Sequence, residues 1–227
     1  MRSRVAAVVL LALLLAVPVM AQTKPFILGV KGGVNLANLA LDPEPDPKPD
    51  MFMGIGFGGS LGFLISPGMT LDTDFLYLQK GAKWEGSGEG ELAIPDQTYK
   101  YTYLVVNPML RFVVQNQGLR PYFMAGAEVG FLLDAEIESD EDEEEGDEEG
   151  DYDLKDFTKS TDFGVNFGAG LEFPSGNSAF FVEARYSLGL TDIVDEGDDE
   201  EGNKQEDEED ESTAKHRGIY LMAGMRF

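Results

Sequence analysis

The chain has 227 residues, 43% of them apolar, no cysteine and a formal net charge of −25 at pH 7. That length allows one medium-sized domain. The absence of cysteine excludes a lipid-anchored lipoprotein and fits an oxidising compartment, and no apolar run reaches the ~18 to 20 residues of a spanning helix. The charge is concentrated. Between Asp134 and Asp156 there are 15 acids and one lysine, and between Asp192 and Glu211 there are 13 acids and one lysine. These segments carry −14 and −12, so the remainder of the chain is close to neutral at +1. Two polyanionic loops on a balanced body is the organisation this implies, and such loops repel nucleic acid.

At the N-terminus, Arg2 and Arg4 precede an apolar run from Val5 to Val17, followed by Pro18, Val19, Met20 and Ala21. The run is too short to span a bilayer, and Val19 and Ala21 meet the small-residue rule for leader cleavage. The expected organisation is a signal peptide over residues 1–21 and a mature domain over residues 22–227.

From Phe26 onward, eight stretches alternate large apolar residues with small or charged ones. A strand sends successive side chains to opposite faces, so this period of two predicts strands with one greasy and one polar or tight face. In the first, Phe26 to Leu36, Phe26, Leu28, Val30, Val34 and Leu36 oppose Gly29, Lys31, Gly33 and Asn35. The segment Asp42 to Asp50 has proline at every second position and is loop. Met53, Ile55, Phe57, Leu61, Phe63 and Ile65 then alternate with Gly54, Gly56, Gly58, Ser60 and Gly62. Ser66-Pro67-Gly68-Met69 is a tight turn. The third stretch, Thr70 to Lys83, sends Leu71, Thr73, Phe75 and Tyr77 one way and Asp72, Asp74 and Lys80 the other.

After a Gly- and Glu-rich loop from Trp84 to Gln97, the fourth stretch runs from Thr98 to Gln115, with Asn107 and Arg111 on its polar face. Pro108 removes a ladder donor, so a bulge or local irregularity is expected there. The fifth, Arg120 to Leu133, opposes Phe123, Ala125, Val129 and Phe131 to Tyr122, Gly126, Glu128 and Gly130. An acidic loop over residues 134–160 leads to the sixth, Thr161 to Phe173, with Asp162, Asn166 and Glu172 on its polar face. The seventh, Ala179 to Leu190, carries Glu183, Arg185 and Ser187. The second acidic loop, residues 191–216, precedes the eighth, Gly218 to Phe227, where Ile219, Leu221, Ala223, Met225 and Phe227 form the apolar row.

Connections between stretches alternate long and short along the chain. An even number of strands with short turns on one rim and long loops on the other is the pattern of bacterial outer-membrane barrels. The expected fold is all-β, an eight-stranded antiparallel up-and-down transmembrane β-barrel with its greasy rows toward lipid. Both termini would then be periplasmic and the long loops extracellular, in the outer membrane of a Gram-negative cell. Phe227 is the terminal aromatic that barrel-assembly machinery would read, and outer-membrane lipid is the other expected partner. A soluble lipocalin-like binder would reverse the faces, and the outward Phe and Leu rows argue against it.

Three segments carry a resemblance. Gln79-Lys80-Gly81-Ala82-Lys83, Arg120-Pro121-Tyr122 leading into Ala125-Gly126-Ala127-Glu128-Val129-Gly130, and Glu183 through Thr191 are similar to the PorT-like "porin family" of eight-stranded outer-membrane barrels. The resemblance covers the mature chain and implies the same fold and location, without a function. The acidic loops are outside the family pattern.

Ten charged residues fall on the inward parity: Lys31, Lys80, Arg111, Arg185 and Arg226 with Asp72, Asp74, Glu128, Glu172 and Glu183. Enclosed charges must pair, and eight strands leave an interior just wide enough for side chains. A salt-bridge plug is therefore expected, with a narrow channel as the alternative. The acidic loops, for example Asp195, Glu196, Asp198, Asp199 and Glu200, have the oxygen ligands that Ca²⁺ or Mg²⁺ takes but not the spacing of a formed site, so any such cation would be loosely held. Capture of a cationic partner and a merely solvated, self-repelling segment are the other readings. The single histidine, His216, has Ser212 and Thr213 nearby but sits at the foot of an acidic loop, without the rigid frame that catalysis needs. No catalytic or cofactor-binding residue is expected. Tyr77, Trp84, Tyr99, Tyr101, Tyr103, Phe123 and Phe180 lie near strand ends, where an interfacial aromatic girdle is expected.

Overall fold

A computed structural model describes residues 26–84, 86, 96–114, 118–139, 152–194 and 213–227. The expected leader over residues 1–21 lies outside the described residues, as does most of both acidic loops. The strands are β1 (Phe26–Asp42), β2 (Asp50–Ser66), β3 (Met69–Trp84), β4 (Gln97–Val113), β5 (Arg120–Ser139), β6 (Tyr152–Asp153), β7 (Thr161–Ser175), β8 (Ser178–Gly189) and β9 (Thr213–Arg226). A single 3-10 turn, Lys155–Phe157, separates β6 from β7.

Each long strand pairs antiparallel with its neighbours in the order β4-β3-β2-β1-β9-β8-β7-β5, and β4 pairs with β5 to close the ring. β6 only extends β5 at Glu136 and Ile137, so the wall is an eight-stranded barrel. Closure satisfies the backbone of every wall strand without leaving an edge, which is what hydrocarbon demands of a spanning sheet. The first and last strands meet along fourteen registered pairs, from Gly29 opposite Arg226 to Asp42 opposite Thr213.

The side-chain alternation sets which way the barrel faces. Phe57, Phe123, Phe167 and Leu221 are exposed on its outer wall, while Glu128, Arg185 and Asn166 are buried inside. A one-residue slip in any strand would exchange those sets. Hairpin chemistry holds the register at the tight end. Pro67-Gly68 closes β2 to β3 with φ 89° at Gly68, as a type II turn requires, and Gly176-Asn177 closes β7 to β8 with φ 60° at Gly176.

Several details depart from the sequence expectation. β1 continues to Asp42 and β9 starts at Thr213, each beyond the stretch its greasy row marked out. β1 has 17 residues and β5 has 20, well above the ~9 to 11 that cross a bilayer. The wall therefore continues past the membrane at the long-loop end. Pro108 produces no register shift: β3 pairs straight through it, and the β4–β5 ladder keeps one register on either side of Asn107 and Pro108. The shift lies instead at Thr102/Tyr103. Asn107 and Pro108 themselves have no paired residue on β5, which is the local irregularity expected at a proline, while Gly126 opposite Met109 lets the two backbones pack closely beside it.

The interior is also less polar than expected. Leu76, Leu78, Tyr101, Tyr103, Tyr220 and Met222 form a buried cluster toward the long-loop rim. Tyr101 and Tyr103 are thus inside the barrel rather than on an outer girdle, and Tyr99 packs against them. Tyr77 does face outward, stacked on Phe57 at 5.1 Å between centroids, and Phe123 and Phe180 are exposed on the outer wall.

A Cβ on Gly126 would press into the carbonyl oxygen of Pro108 and Cα of Met109, both backbone atoms of the neighbouring strand. Gly126→Val should therefore prevent β4 from docking on β5. Unheated and boiled samples on a denaturing gel check this: the wild type should show a separate folded band, and the variant should lose most of it.

Candidate functional site

Among the described residues, charged side chains gather in the lumen, where they stand in three levels. Nearest the short-turn rim, Arg226 Nη2 donates to Asp72 Oδ1 at 2.9 Å and Arg111 Nη2 donates to Glu172 Oε2 at 2.6 Å. Glu172 also lies 3.6 Å from Arg120 and 3.8 Å from Arg226. The Arg111 guanidinium stacks 3.7 Å from the Tyr122 ring centroid, so a flat cation fills the gap beside a flat apolar face.

One level further in, two cations and two carboxylates form a closed square. Lys31 Nζ donates to Asp74 Oδ2 at 2.9 Å and to Glu183 Oε1 at 3.0 Å. Arg185 Nη2 donates to the same two oxygens, at 2.6 and 2.5 Å. The Tyr122 hydroxyl donates to the other Glu183 oxygen at 2.9 Å.

The third level is centred on Lys80, whose Nζ donates to Glu128 Oε1 at 2.6 Å and Asp162 Oδ2 at 2.9 Å. Glu128 also accepts from Asn166, Ser187 and the Tyr220 hydroxyl. Thr191 donates to the other Asp162 oxygen at 2.9 Å.

All ten inward charges named from the sequence lie in these levels, each within an ion pair. Asp162 is an eleventh member. It was visible on the inward parity of its strand, next to Gly164 and Asn166, and had no obvious partner until the fold placed Lys80 opposite.

Above Lys80 the lumen becomes aromatic. His216 is 2% exposed and lies in β9, not in a loop. Its Nε2 is 3.2 Å from the Tyr103 hydroxyl, and its ring meets Tyr101 and Tyr103 edge-on at 5.1 and 5.5 Å. The sequence analysis expects it at the foot of an acidic loop because the acids run almost up to Thr213.

The loop bases then fold over the mouth. Ile193 is 3% exposed within the apolar cluster, and its amide donates to the Ala214 carbonyl at 2.9 Å. Leu154 packs on the same cluster and its amide donates to Ala135 at 2.8 Å. A bridge between Thr158 and Val194 joins the two loop bases. Asp195, Glu196, Asp198, Asp199 and Glu200 lie outside the described residues. Among the described residues, no group of three or more His, Asp or Glu side chains is placed to hold a metal ion.

A closed antiparallel barrel with an apolar outer wall and charges neutralised inside is an integral membrane barrel. The chain belongs to the outer membrane protein beta-barrel domain family, whose model matches residues 20–195; its place is the outer membrane of a Gram-negative cell. No curated protein matches the chain. Among solved structures, Neisserial surface protein A superposes with a TM-score of 0.49 at 14% identity, covering 89% of this chain and 96% of that one. OprG from Pseudomonas aeruginosa gives 0.45 at 12% identity, with 89% and 95% covered. Ail, the attachment invasion locus protein of Yersinia pestis, gives 0.38 at 17% identity, with 88% and 98% covered.

Removing one partner from a buried ion pair strands the other in a poorly solvating interior, at about 3–5 kcal/mol. Lys80→Met leaves Glu128 and Asp162 without a cation and should lose stability on that scale. Lys48→Gln, which breaks a pair with Glu44 whose side chains are 68% and 65% exposed, should change stability by less than about 1 kcal/mol. Urea unfolding of both variants in phospholipid vesicles measures the contrast; equal midpoints would contradict the buried-pair argument.

Proposed function

We propose that this protein is a non-enzymatic outer-membrane barrel with a closed lumen, which displays its two acidic segments to the exterior. The observation that carries this reading is the chain of cross-lumen ion pairs, continued upward by Tyr103, His216 and Ile193. Side chains from opposite walls touch at each of these levels, so a solute would have to break buried pairs in series.

In this reading residues 1–21 are a leader, the mature domain is 22–227, both termini face the periplasm and the barrel is of the PorT-like type. The acidic segments over 134–160 and 191–216 supply the surface chemistry. They attract cations, either loosely held Ca²⁺ or Mg²⁺ or a cationic partner, by field rather than by a formed cage. A narrow channel is the second reading, and one observation favours it. Both polar atoms of the Asn107 side chain, and Arg185 Nε and Nη1, have no hydrogen-bond partner in the protein. Polar groups at mid-lumen are therefore available to a passing ion.

Planar-bilayer recording decides between the two. The closed barrel should give no current steps of defined size in the wild type. Reproducible steps whose size changes in Arg185→Ala would establish the channel instead. For the loops, calorimetric titration should show Ca²⁺ heat at millimolar concentration that disappears at high salt. No heat at all would remove the divalent-cation reading and leave the cationic partner.

A further inference from the structure

The lumen balances its charge as a whole but not level by level. In the middle level Lys31 and Arg185 meet Asp74 and Glu183, and in the upper level Lys80 meets Glu128 and Asp162. At the short-turn rim three arginines, Arg111, Arg120 and Arg226, share two carboxylates, Asp72 and Glu172. That level therefore holds one positive charge in excess. The C-terminal carboxylate stands at the same end, where a Phe227 oxygen accepts from the Leu28 amide at 3.1 Å, and neither Arg111 nor Arg226 pairs with it.

Arg111 and Arg226 are only 3% and 7% exposed, so bulk water does little to disperse their charge. A guanidinium carries five N–H donors. Among the described residues, Arg111 gives one hydrogen bond, to Glu172 Oε2, and Arg226 gives one, to Asp72 Oδ1. Both side chains line a cavity of about 360 Å³ at this rim, so donors without a protein acceptor stand beside open space.

Much of the remaining lining is apolar. Ile27, Leu64 and Val113 occupy inward positions at the rim ends of β1, β2 and β4, and Leu64 is 43% exposed although it points away from lipid. A half-exposed apolar collar beside a cationic floor is complementary to an amphipathic anion. The single surplus charge selects a monoanion, and flat guanidiniums hold a flat carboxylate by two-point contact. The volume is that of a small-molecule site.

We infer that the short-turn mouth binds a small organic monocarboxylate, its carboxylate on Arg111, Arg226 and Arg120 and its apolar body against Ile27, Leu64 and Val113. This mouth lies at the end opposite the acidic segments, and it is available whether or not the levels above it conduct.

The test uses the full chain folded in a nonionic detergent and titrated calorimetrically with benzoate, benzamide and sulfate. Benzoate should bind the wild type. Benzamide, which has the shape without the charge, and sulfate, which has charge without an apolar body, should each bind at least about tenfold more weakly. In Arg120→Gln, whose side chain is 35% exposed and whose loss leaves Glu172 paired with Arg111, benzoate affinity should fall about tenfold, the scale of one charge-assisted contact. Val113→Asp brings a carboxylate into the mouth and should abolish benzoate binding. Lys48→Gln, at the other end of the barrel, should bind as the wild type does. The folded band on an unheated gel verifies each variant. No benzoate binding to the folded wild type, benzamide or sulfate binding equally well, or unchanged benzoate affinity in folded Arg120→Gln or Val113→Asp would overturn the inference.

Discussion

Everything in this barrel follows from having to neutralise charge where water is scarce. With hydrocarbon outside and eight strands around a narrow interior, an inward Lys or Asp can be stabilised only by another side chain. The pairs that result are struts rather than ladders. Arg185 on β8 reaches Asp74 on β3, and Lys80 on β3 reaches Asp162 on β7; neither pair of strands is adjacent in the wall. Such struts couple opposite walls and fix register, because a slip that turned Arg185 outward would leave Asp74 and Glu183 short of a cation while placing a guanidinium in lipid.

The gradient along the axis has a physical basis. The short-turn half of the wall lies in the bilayer, where the apolar rows face out and the lumen holds the charge. The upper half continues beyond the membrane, and there the interior becomes aromatic and aliphatic, as in a soluble core. Ile193 and Leu154 use that surface as an anchor. Segments with so many like charges repel themselves and each other, so they need attachment points that do not depend on charge. The apolar mouth and the Thr158–Val194 bridge provide them.

The fold was legible because membrane barrels write their inside and outside into a strict period of two, and the glycines and charges of β2, β7 and β9 left little ambiguity. The ionic lumen was legible for the same reason. What was lost was lost where a second signal overrode parity. Tyr101 and Tyr103 share the odd numbering of Asn107 and Arg111, which point inward, yet their position near a strand end suggested a girdle. His216 shares the even numbering of Tyr220 and Met222, but neighbouring acids masked the start of β9. In both cases strand length was the missing quantity: sequence shows where greasy alternation stops, and these strands continue past that point. The partner of Asp162 could not be read at all, since cross-lumen distances depend on closure of the ring rather than on spacing along the chain.

Charge bookkeeping limits what the loops can do. The lumen holds five cations against six acids, with Arg120 joining Glu172 at the rim, so it is neutral to within about one charge and has no cation to lend. Lys215 and Arg217 lie on the outward row of β9 rather than in the mouth. The segments between Asp134 and Asp156 and between Asp192 and Glu211 carry −14 and −12, and nothing inside the barrel compensates them. Their field is therefore directed at whatever surrounds the rim, and its neutralisation must come from ions or cationic groups that are not part of this chain.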